Sequence, residues 1–594
     1  MSAVTEAGRT PVPEDLPDVF AEFCAAGLWP GLGSRLAGRL AAAGLTGPAQ
    51  VSAQRLELVE GVGGRRAVAL AAAFEAARPV YETARLLVAC RVPARLAGPA
   101  VARLGATAPR QLREDPWRLL AVPQLRPDQA DWFARQVLGG QAAPEDPRRA
   151  RALAGHLLAR AARDGHTAVP AEVIADALGR FRISDPAAAI AAAVDDGGVL
   201  PFEGPETGPG AEDGFAGGDG AEHDGAGGAA GEDPGDGGAA DGDPGSADGG
   251  VLLALARYAM AEEAVAEGVQ RLAALAEPVD PAEQPGTAAE TGGAEESGTL
   301  GLDTVQQQAV AAAAEHGGSV LCGGPGPGKS RTVAAVVAMA QARGLRVALA
   351  APTGRAAKRL EELAGAPATT VHRLLGAQTD GFSWSFSRNE EAPLDADLVV
   401  VDEASMLDAE LAAALVEACP DGARLLLVGD PAQLPSIGPG RVLADLIDSG
   451  AVPVTELTRL YRQRDGGVIA RLATAVRGGT LPAVDAPDRE VVVVPVRGSA
   501  EAARRVIQLV TDSIPRALGI PAGEVQVITP VHKGAAGTVE LNRALKARLN
   551  PGPGARGGFD PGERGGGGAN TPDEGLANGA VGTGTRPGDR RRLV

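Results

Sequence analysis

An apolar run, Ser319 to Cys322, passes directly into Gly323, Gly324, Pro325, Gly326, Pro327, Gly328, Lys329 and Ser330, and then into the helical pattern TVAAVVAMAQA. No other stretch restricts the fold as strongly. A buried strand that turns through a glycine loop into a helix belongs to parallel α/β sheets with helices on both faces. The glycines let backbone amides approach anionic oxygens. Lys329 supplies charge for the β and γ phosphates, and the Ser330 hydroxyl completes a Mg2+ shell. Residues 323–331, Arg331 included, are therefore expected to hold ATP with Mg2+. Pro327 has no N–H, so this cradle has one donor fewer than a loop with another residue there.

Asp402 and Glu403 end the apolar strand Leu398 to Val401, which places both at the carboxyl edge of the sheet, where open α/β folds collect ligands. Asp402 is expected to hold the Mg2+ water shell and Glu403 to orient and deprotonate the attacking water. On its own, a strand-end acidic pair is commonly a solvated turn. A second apolar strand, Arg424 to Val428, delivers Gly429, Asp430 and then Gln433, whose amide is placed to sense the γ phosphate. Upstream, Gln306 precedes the first strand, where its amide is expected to read the adenine edge.

The ordered series LDTVQQQAV, GGPGPGKS, APTGRAAKRL, TVHRLLG, VVVDEASMLD, VGDPAQLPSIGPG and LTRLYRQ resembles the RecD-like branch of superfamily 1 DNA helicases, over residues 301 to about 550. The resemblance implies two RecA-like domains, ATP hydrolysis at their interface, and movement along single-stranded DNA from 5′ to 3′. By position, Gln306, Lys329, Ser330, Asp402, Glu403, Gln433 and Arg462 match the nucleotide site. Pro352, Thr353, Arg355, Thr370 and His372 match the segments that touch the strand; taken without the family, His372 reads equally as a surface or core histidine.

Between TVHRLLG and the acidic pair, Phe382, Trp384 and Phe386 alternate in the period of a strand. Two readings stand side by side: a pin hairpin whose aromatics, Trp384 among them, stack on DNA bases, or a hairpin that packs its aromatic side onto the motor. Nearer the start of the chain, GLWPGLGSRLAGRLAAAGL and RLELVEGVGGRRAVALAAAF each pair two apolar helices through a glycine turn, at Gly31 and Gly33 and at Gly61 and Gly63. This is the pattern of helix-hairpin-helix units, which hold DNA phosphates through glycine amides and also serve as plain packing units. A third, weaker copy lies in LLVACRVPARLAGPAVARLGA. The departure PQLRP at Pro123 to Pro127 replaces the glycine turn usual in the family.

The formal charge of −19 is unusual for a DNA binder until it is located. Residues 203–250 hold 13 Asp and Glu and no Lys or Arg, in a background of Gly, Ala and Pro. That composition predicts a disordered linker, and the rest of the chain carries only about −6, which permits local basic grooves. The four cysteines are widely scattered without a C-x-x-C spacing, so neither a disulfide framework nor a zinc or iron–sulfur site is indicated. There is no run of eighteen apolar residues to cross a bilayer and no secretory pattern at the start, so a cytoplasmic protein is expected.

The fold class read from these features is multidomain: a helical N-terminal region followed by a RecA-like P-loop domain and a partial second one. The expected boundaries are 1–95 for the hairpin region, 96–202 for a helical domain, 203–250 for the acidic linker, 251–276 for a helix and 277–300 for a second linker. The first motor domain is expected over 301–457 with its pin at about 376–394, the partial second over 458–550, and a Gly-rich stretch over 551–594. The strand expected in EVQVITP and the helix after it fall in the second motor domain. No T-x-H-x-x-Q-G segment and no terminal T-R-A segment occur, and against the family this implies a C-terminally incomplete chain. The functional expectation is an ATP-dependent helicase acting on single-stranded or tailed DNA in repair or recombination, with repair or recombination proteins as partners. The alternative is a noncatalytic, nucleotide-gated DNA binder.

Overall fold

The computed structural model describes residues 19–123, 125–204, 250–279, 302–324, 328–379, 384–458, 468–481, 490–554, 559–566 and 581–583. Helices α1 (Val19–Ala25), α2 (Ser34–Ala42), α3 (Ala53–Glu57) and α4 (Gly64–Ala76) form two helix–turn–helix pairs. Phe20, Phe23, Trp29, Phe74 and Tyr81 meet at their centre with ring centroids 4.8 to 6.1 Å apart. Burial of Trp29 is made tolerable by its indole N–H, which donates to the Leu70 carbonyl at 3.0 Å. The weaker third copy also forms a helix pair, Arg78–Ala89 and Ala97–Leu104.

One continuous core runs from Val19 to Leu253, so the expected division at 95/96 is not a break in packing. Helices on both sides of it bury their apolar stripes against each other. The expected all-helical character of 96–202 also needs correcting. Strands β1 (Ala168–Pro170), β2 (Val199–Glu203) and β3 (Val251–Leu255) make an antiparallel sheet in the order β1-β3-β2. The helix expected over 251–276 therefore begins only at Ala256, because VLLAL finds a ladder partner in β2. Glu203 pairs with Val251, and the Gly204 N–H donates to the Gly250 carbonyl at 3.0 Å. The acidic tract is thus inserted between the paired ends of a β-hairpin; residues 205–249, like most of the second expected linker, lie outside the described residues.

The motor sheet consists of β4 (Gly318–Cys322), β5 (Val347–Ala351), β6 (Ala368–Thr370), β9 (Leu398–Val401), β10 (Arg424–Gly429) and β11 (Val454–Glu456), with the hairpin β7 (Ala377–Thr379) and β8 (Trp384–Phe386) inserted between β6 and β9. All six strands are parallel, in the order β11-β4-β10-β9-β5-β6. The period of two is visible in the packing. Leu398, Val400, Leu426 and Val428 face one layer of helices, whereas Val399, Val401, Leu425 and Leu427 face the other.

Helix Ala256–Leu275 belongs to that second layer and packs along helix Ala409–Ala418. Arg271 donates to the carbonyls of Val416 and Cys419 at 2.9 and 3.1 Å, so the end of its neighbour is capped from outside. A Cβ placed on Gly268 would lie 2.1 Å from Val416 Cγ1. In an open helix Gly→Ala gains about 1 kcal/mol. Here Gly268→Ala is expected instead to lose about 1–3 kcal/mol through overpacking, read as a lower urea midpoint of the whole chain.

Residues 468–554 carry helices Val468–Arg477, Gly498–Gln508 and Thr538–Leu549. The expected strand in EVQVITP does not form among the described residues, although the helix after it does. Ile528 is 92% exposed, and an extended segment without a ladder partner has no sheet in which to bury its apolar face.

Candidate nucleotide and nucleic-acid site

The carboxyl ends of adjacent parallel strands bring the expected residues into one row. β4 leads into the glycine loop, β10 leads to Asp430 and β9 to Asp402 and Glu403, while β5 leads to Pro352 and Thr353, and β6 ends at Thr370. Gly328 caps the helix Lys329–Ala342 with φ +96°, a left-handed conformation that glycine adopts without strain, and no side chain caps that helix. Its first N–H groups are left for an external acceptor. Lys329 Nζ donates to the carbonyls of Gly323 and of Gly324, the latter at 2.9 Å. Ser330 is half-buried and Arg331 exposed. Pro325, Gly326 and Pro327 lie outside the described residues, as does Arg462.

Electrostatically the site is a half-buried cation among three carboxylates, of which Asp430 is buried and Asp402 and Glu403 half-buried. Burial pushes the Lys329 ammonium below its ordinary range, against the opposing pull of Asp430, Glu403 and Asp402. Burial raises Asp402, with the Glu403 N–H and Lys329 opposing. Glu403 is raised by burial and by the neighbouring Asp402 charge. Glu403 holds φ +55°, a strained conformation for a residue with a side chain, and its N–H donates to Asp402 Oδ1 at 2.9 Å. On the same turn the Ser405 hydroxyl is buried and makes no hydrogen bond. An uncapped helix start beside two burial-raised carboxylates and an orphaned hydroxyl suits a phosphate chain that arrives with a divalent cation.

Two arginines enter the site that the sequence reading did not name. Arg359 faces the acidic pair. Arg477 ends its helix with Nε 3.3 Å from Asp430 Oδ1 and Nη2 3.2 Å from Glu456 Oε1, close enough that a Cβ on Gly324 would lie 3.6 Å from its Nη1. Nothing in the local sequence separates Arg477 from a basic residue closing a helix. Asp430 is only 3% exposed, so Arg477→Gln is expected to cost about 1–3 kcal/mol, the worth of charge-assisted bonds to a buried carboxylate. Urea unfolding of the full chain measures this.

Gln306 is 2% exposed, and its side-chain oxygen already accepts the Asp303 N–H at 3.2 Å in a reciprocal cap. Its amide NH2 is the part that suits an adenine edge. Gln433 is exposed, on a turn closed by its own N–H donating to the Asp430 carbonyl.

At the far end of the row, the Thr353 hydroxyl accepts the Ala356 N–H at 3.2 Å and the Thr370 hydroxyl the Arg373 N–H at 3.3 Å. Each threonine caps a helix start and sets its direction. Ala351 pairs with Thr370 in register, which sets Pro352, Thr353 and exposed Arg355 beside Thr370 and His372. The His372 ring lies 6.1 Å from Phe386, which is half-buried against the core, so this aromatic takes the packing role. Trp384 pairs with Thr379 in the hairpin, and Phe382 lies outside the described residues.

In the N-terminal unit, Gly31 and Gly61 have φ +81° and +82°, and Gly33 and Gly63 start α2 and α4 without side-chain caps. All four are exposed, with buried Leu32 and Val62 anchoring the turns between them. The two turns are alike in backbone but not in surroundings. Arg39 Nη1 donates to the Glu60 carbonyl at 2.9 Å and lies over Gly61.

Residues 301–494 match the family model described as an AAA domain, and residues 76–168 match the ATP-dependent RecD2 DNA helicase HHH domain. The second match begins beyond both glycine turns. The ATP-dependent RecD2 DNA helicase of Deinococcus radiodurans is 42% identical over 254 residues, 43% of this chain and 33% of that protein. The RecBCD enzyme subunit RecD of Mycolicibacterium smegmatis is 39% identical over 257 residues, 39% of this chain and 43% of that one. The chain thus spans well under half the length of these relatives. A solved structure of Pif1 helicases on forked DNA aligns at TM-score 0.30 and 18% identity, over 48% of this chain and 72% of that one, too slight a likeness to argue from. Among the described residues no helix is long and apolar enough to cross a membrane. Over the matched residues, the helix-hairpin-helix match and the AAA match make this chain similar to the helicases named RecD2 and RecD.

Proposed function

We propose that this chain is the ATP-driven part of a DNA helicase that moves on single-stranded or tailed DNA. The observation that carries this reading is the row along one sheet edge, from the Lys329 loop through Asp430, Asp402 and Glu403 to Thr353 and Thr370. Lys329 and the N–H groups of its helix hold the phosphates of ATP, Ser330 and Asp402 hold Mg2+, and Glu403 orients water against the γ phosphate. Gln433 and Arg462 sense the γ phosphate, while Gln306 receives the adenine. The Pro352, Thr353, Arg355, Thr370, His372 and Trp384 group holds the strand, with the Gly31, Gly33, Gly61 and Gly63 turns as further phosphate contacts. Because phosphate site and strand group share rigid strands, movement at one is transmitted to the other.

As part of the same proposal, the chain acts in repair or recombination, with partners of that kind, and moves 5′-to-3′ inside the cytoplasm; the relatives' names, a DNA helicase and a subunit of the RecBCD enzyme, support the helicase part of it. The test is ATP hydrolysis by the full chain with and without single-stranded DNA, followed by strand separation on duplexes with a 5′ or a 3′ tail. DNA-stimulated turnover and separation of the 5′-tailed duplex are expected. Nucleotide and DNA binding with no turnover sinks the motor reading and favours the gated binder; separation only from a 3′ tail overturns the polarity.

A further inference from the structure

A cavity of about 430 Å³ opens at the seam between the N-terminal unit and the loop that follows Asp430. One face of helix Pro147–Arg163 lines it, with Arg151, Gly155, Ala159 and Arg163 at helical spacing. Ile437, Gly438 and Pro439 line it from the motor side. The Gly440 N–H donates to the Gly165 carbonyl at 3.0 Å, which joins that loop to the turn after the helix.

Five arginines line the cavity, namely Arg103, Arg118, Arg151, Arg163 and Arg257, with Asp196 as their carboxylate. Arg118 and Arg151 are balanced, since both pair with Asp196, at 2.5 and 3.2 Å, and both with Asp115. The other three have less: Arg257 donates to the Tyr258 hydroxyl at 2.9 Å and lies over that ring, and among the described residues Glu410 is the one carboxylate that acts on both Arg257 and Arg103. Arg257 has Glu410 Oε1 no nearer than 3.9 Å, and its Nε is buried without a hydrogen bond. Arg103 and Arg163 have no carboxylate within ion-pair distance among the described residues. Burial and the neighbouring Arg257 both push the Arg103 guanidinium down. Partly desolvated cations gathered this way are costly unless an anion joins them. Beside His156, whose imidazole burial pushes down, the remaining lining is largely apolar, with Leu104, Val199, Leu255 and Pro439 next to Tyr258.

We propose that this cavity binds a nucleotide phosphate, separately from the Lys329 loop, with the phosphate held by Arg103, Arg163 and Arg257 and the base against the apolar wall. Its volume exceeds what inorganic phosphate needs and lies within the range of small-ligand sites. Guanidinium groups match phosphate oxygens in geometry as well as charge. The ligand is either a free mononucleotide or one nucleotide of a single strand; in both cases it bridges the N-terminal unit to the loop that begins at Asp430.

The test is calorimetric titration of the full chain, in EDTA, with dTMP and with a 5′-phosphorylated dT tetranucleotide. Three variants accompany it. Arg103→Ala with Arg163→Ala removes charge. Gly155→Leu fills space, since a Cβ there meets nothing within 4 Å. Lys329→Ala removes the phosphate-loop cation. Wild type and Lys329→Ala are expected to bind at least one probe alike, and both cavity variants to bind it at least about tenfold more weakly. Binding of dTMP identifies a free nucleotide as sufficient; binding of the tetranucleotide alone identifies a strand. The proposal is overturned if neither probe binds, if the cavity variants bind like wild type, or if Lys329→Ala abolishes binding. Because the charge and the filling variants act by different means and must agree, misfolding of either one leaves the other as the test.

Discussion

Lys329→Ala is expected to lower DNA-stimulated ATP hydrolysis by about 10²–10³-fold or more, the loss found when one preorganised donor to developing charge is removed. The expectation rests on where the ammonium sits. It donates to the Gly323 and Gly324 carbonyls, within the electrostatic reach of Asp430, Glu403 and Asp402. A triphosphate drawn into this loop brings negative charge to a place already holding three carboxylates, and without Lys329 that repulsion is unscreened. Nucleotide affinity is therefore expected to fall together with turnover. Fluorescent-nucleotide binding and steady-state hydrolysis on the same preparation check both. Stability is expected to change little or to rise, because burial already disfavours this ammonium. An unchanged urea midpoint alongside lost turnover separates loss of function from loss of fold.

The parts of the molecule that were legible in the sequence are those determined by short-range pattern. Leu398 to Val401 is buried on both faces, so a continuous apolar run marked it, and the acidic pair at its end followed from the rule that parallel strands deliver ligands at their carboxyl edge. The turns at Gly31 and Gly61 were legible because positive φ demands glycine there. What was missed depends on distant partners. VLLAL is too short for its period to decide between strand and helix, and its ladder partner lies across the acidic tract. Arg477 reaches Asp430 only because the chain returns to the phosphate loop. That the Thr353 and Thr370 hydroxyls cap helices was not legible either, because a capping threonine and a ligand-facing threonine look identical in sequence. EVQVITP has the pattern of a strand, yet pattern cannot supply a neighbour to pair with.

Glu403→Gln is expected to separate binding from turnover, which Lys329→Ala cannot do. The amide has the shape of the carboxylate and no basicity. Proton transfer to a positioned base is worth about 10²–10⁴-fold in rate, and turnover is expected to fall by that much. Affinity for ATP is expected to stay level or rise, since the variant removes a negative charge that burial and the adjacent Asp402 already disfavour. The strain at Glu403, φ +55°, is held by its N–H on Asp402 Oδ1, and neither partner in that bond is altered. The side chain is thus expected to keep its aim. Single-turnover hydrolysis and equilibrium nucleotide binding, each with and without single-stranded DNA, decide the matter. If Glu403→Gln binds ATP and DNA normally yet hydrolyses ATP as fast as wild type, this carboxylate is not the base. If wild type itself shows no hydrolysis while both proteins bind, the row of strand ends is a nucleotide-gated grip on DNA and no motor.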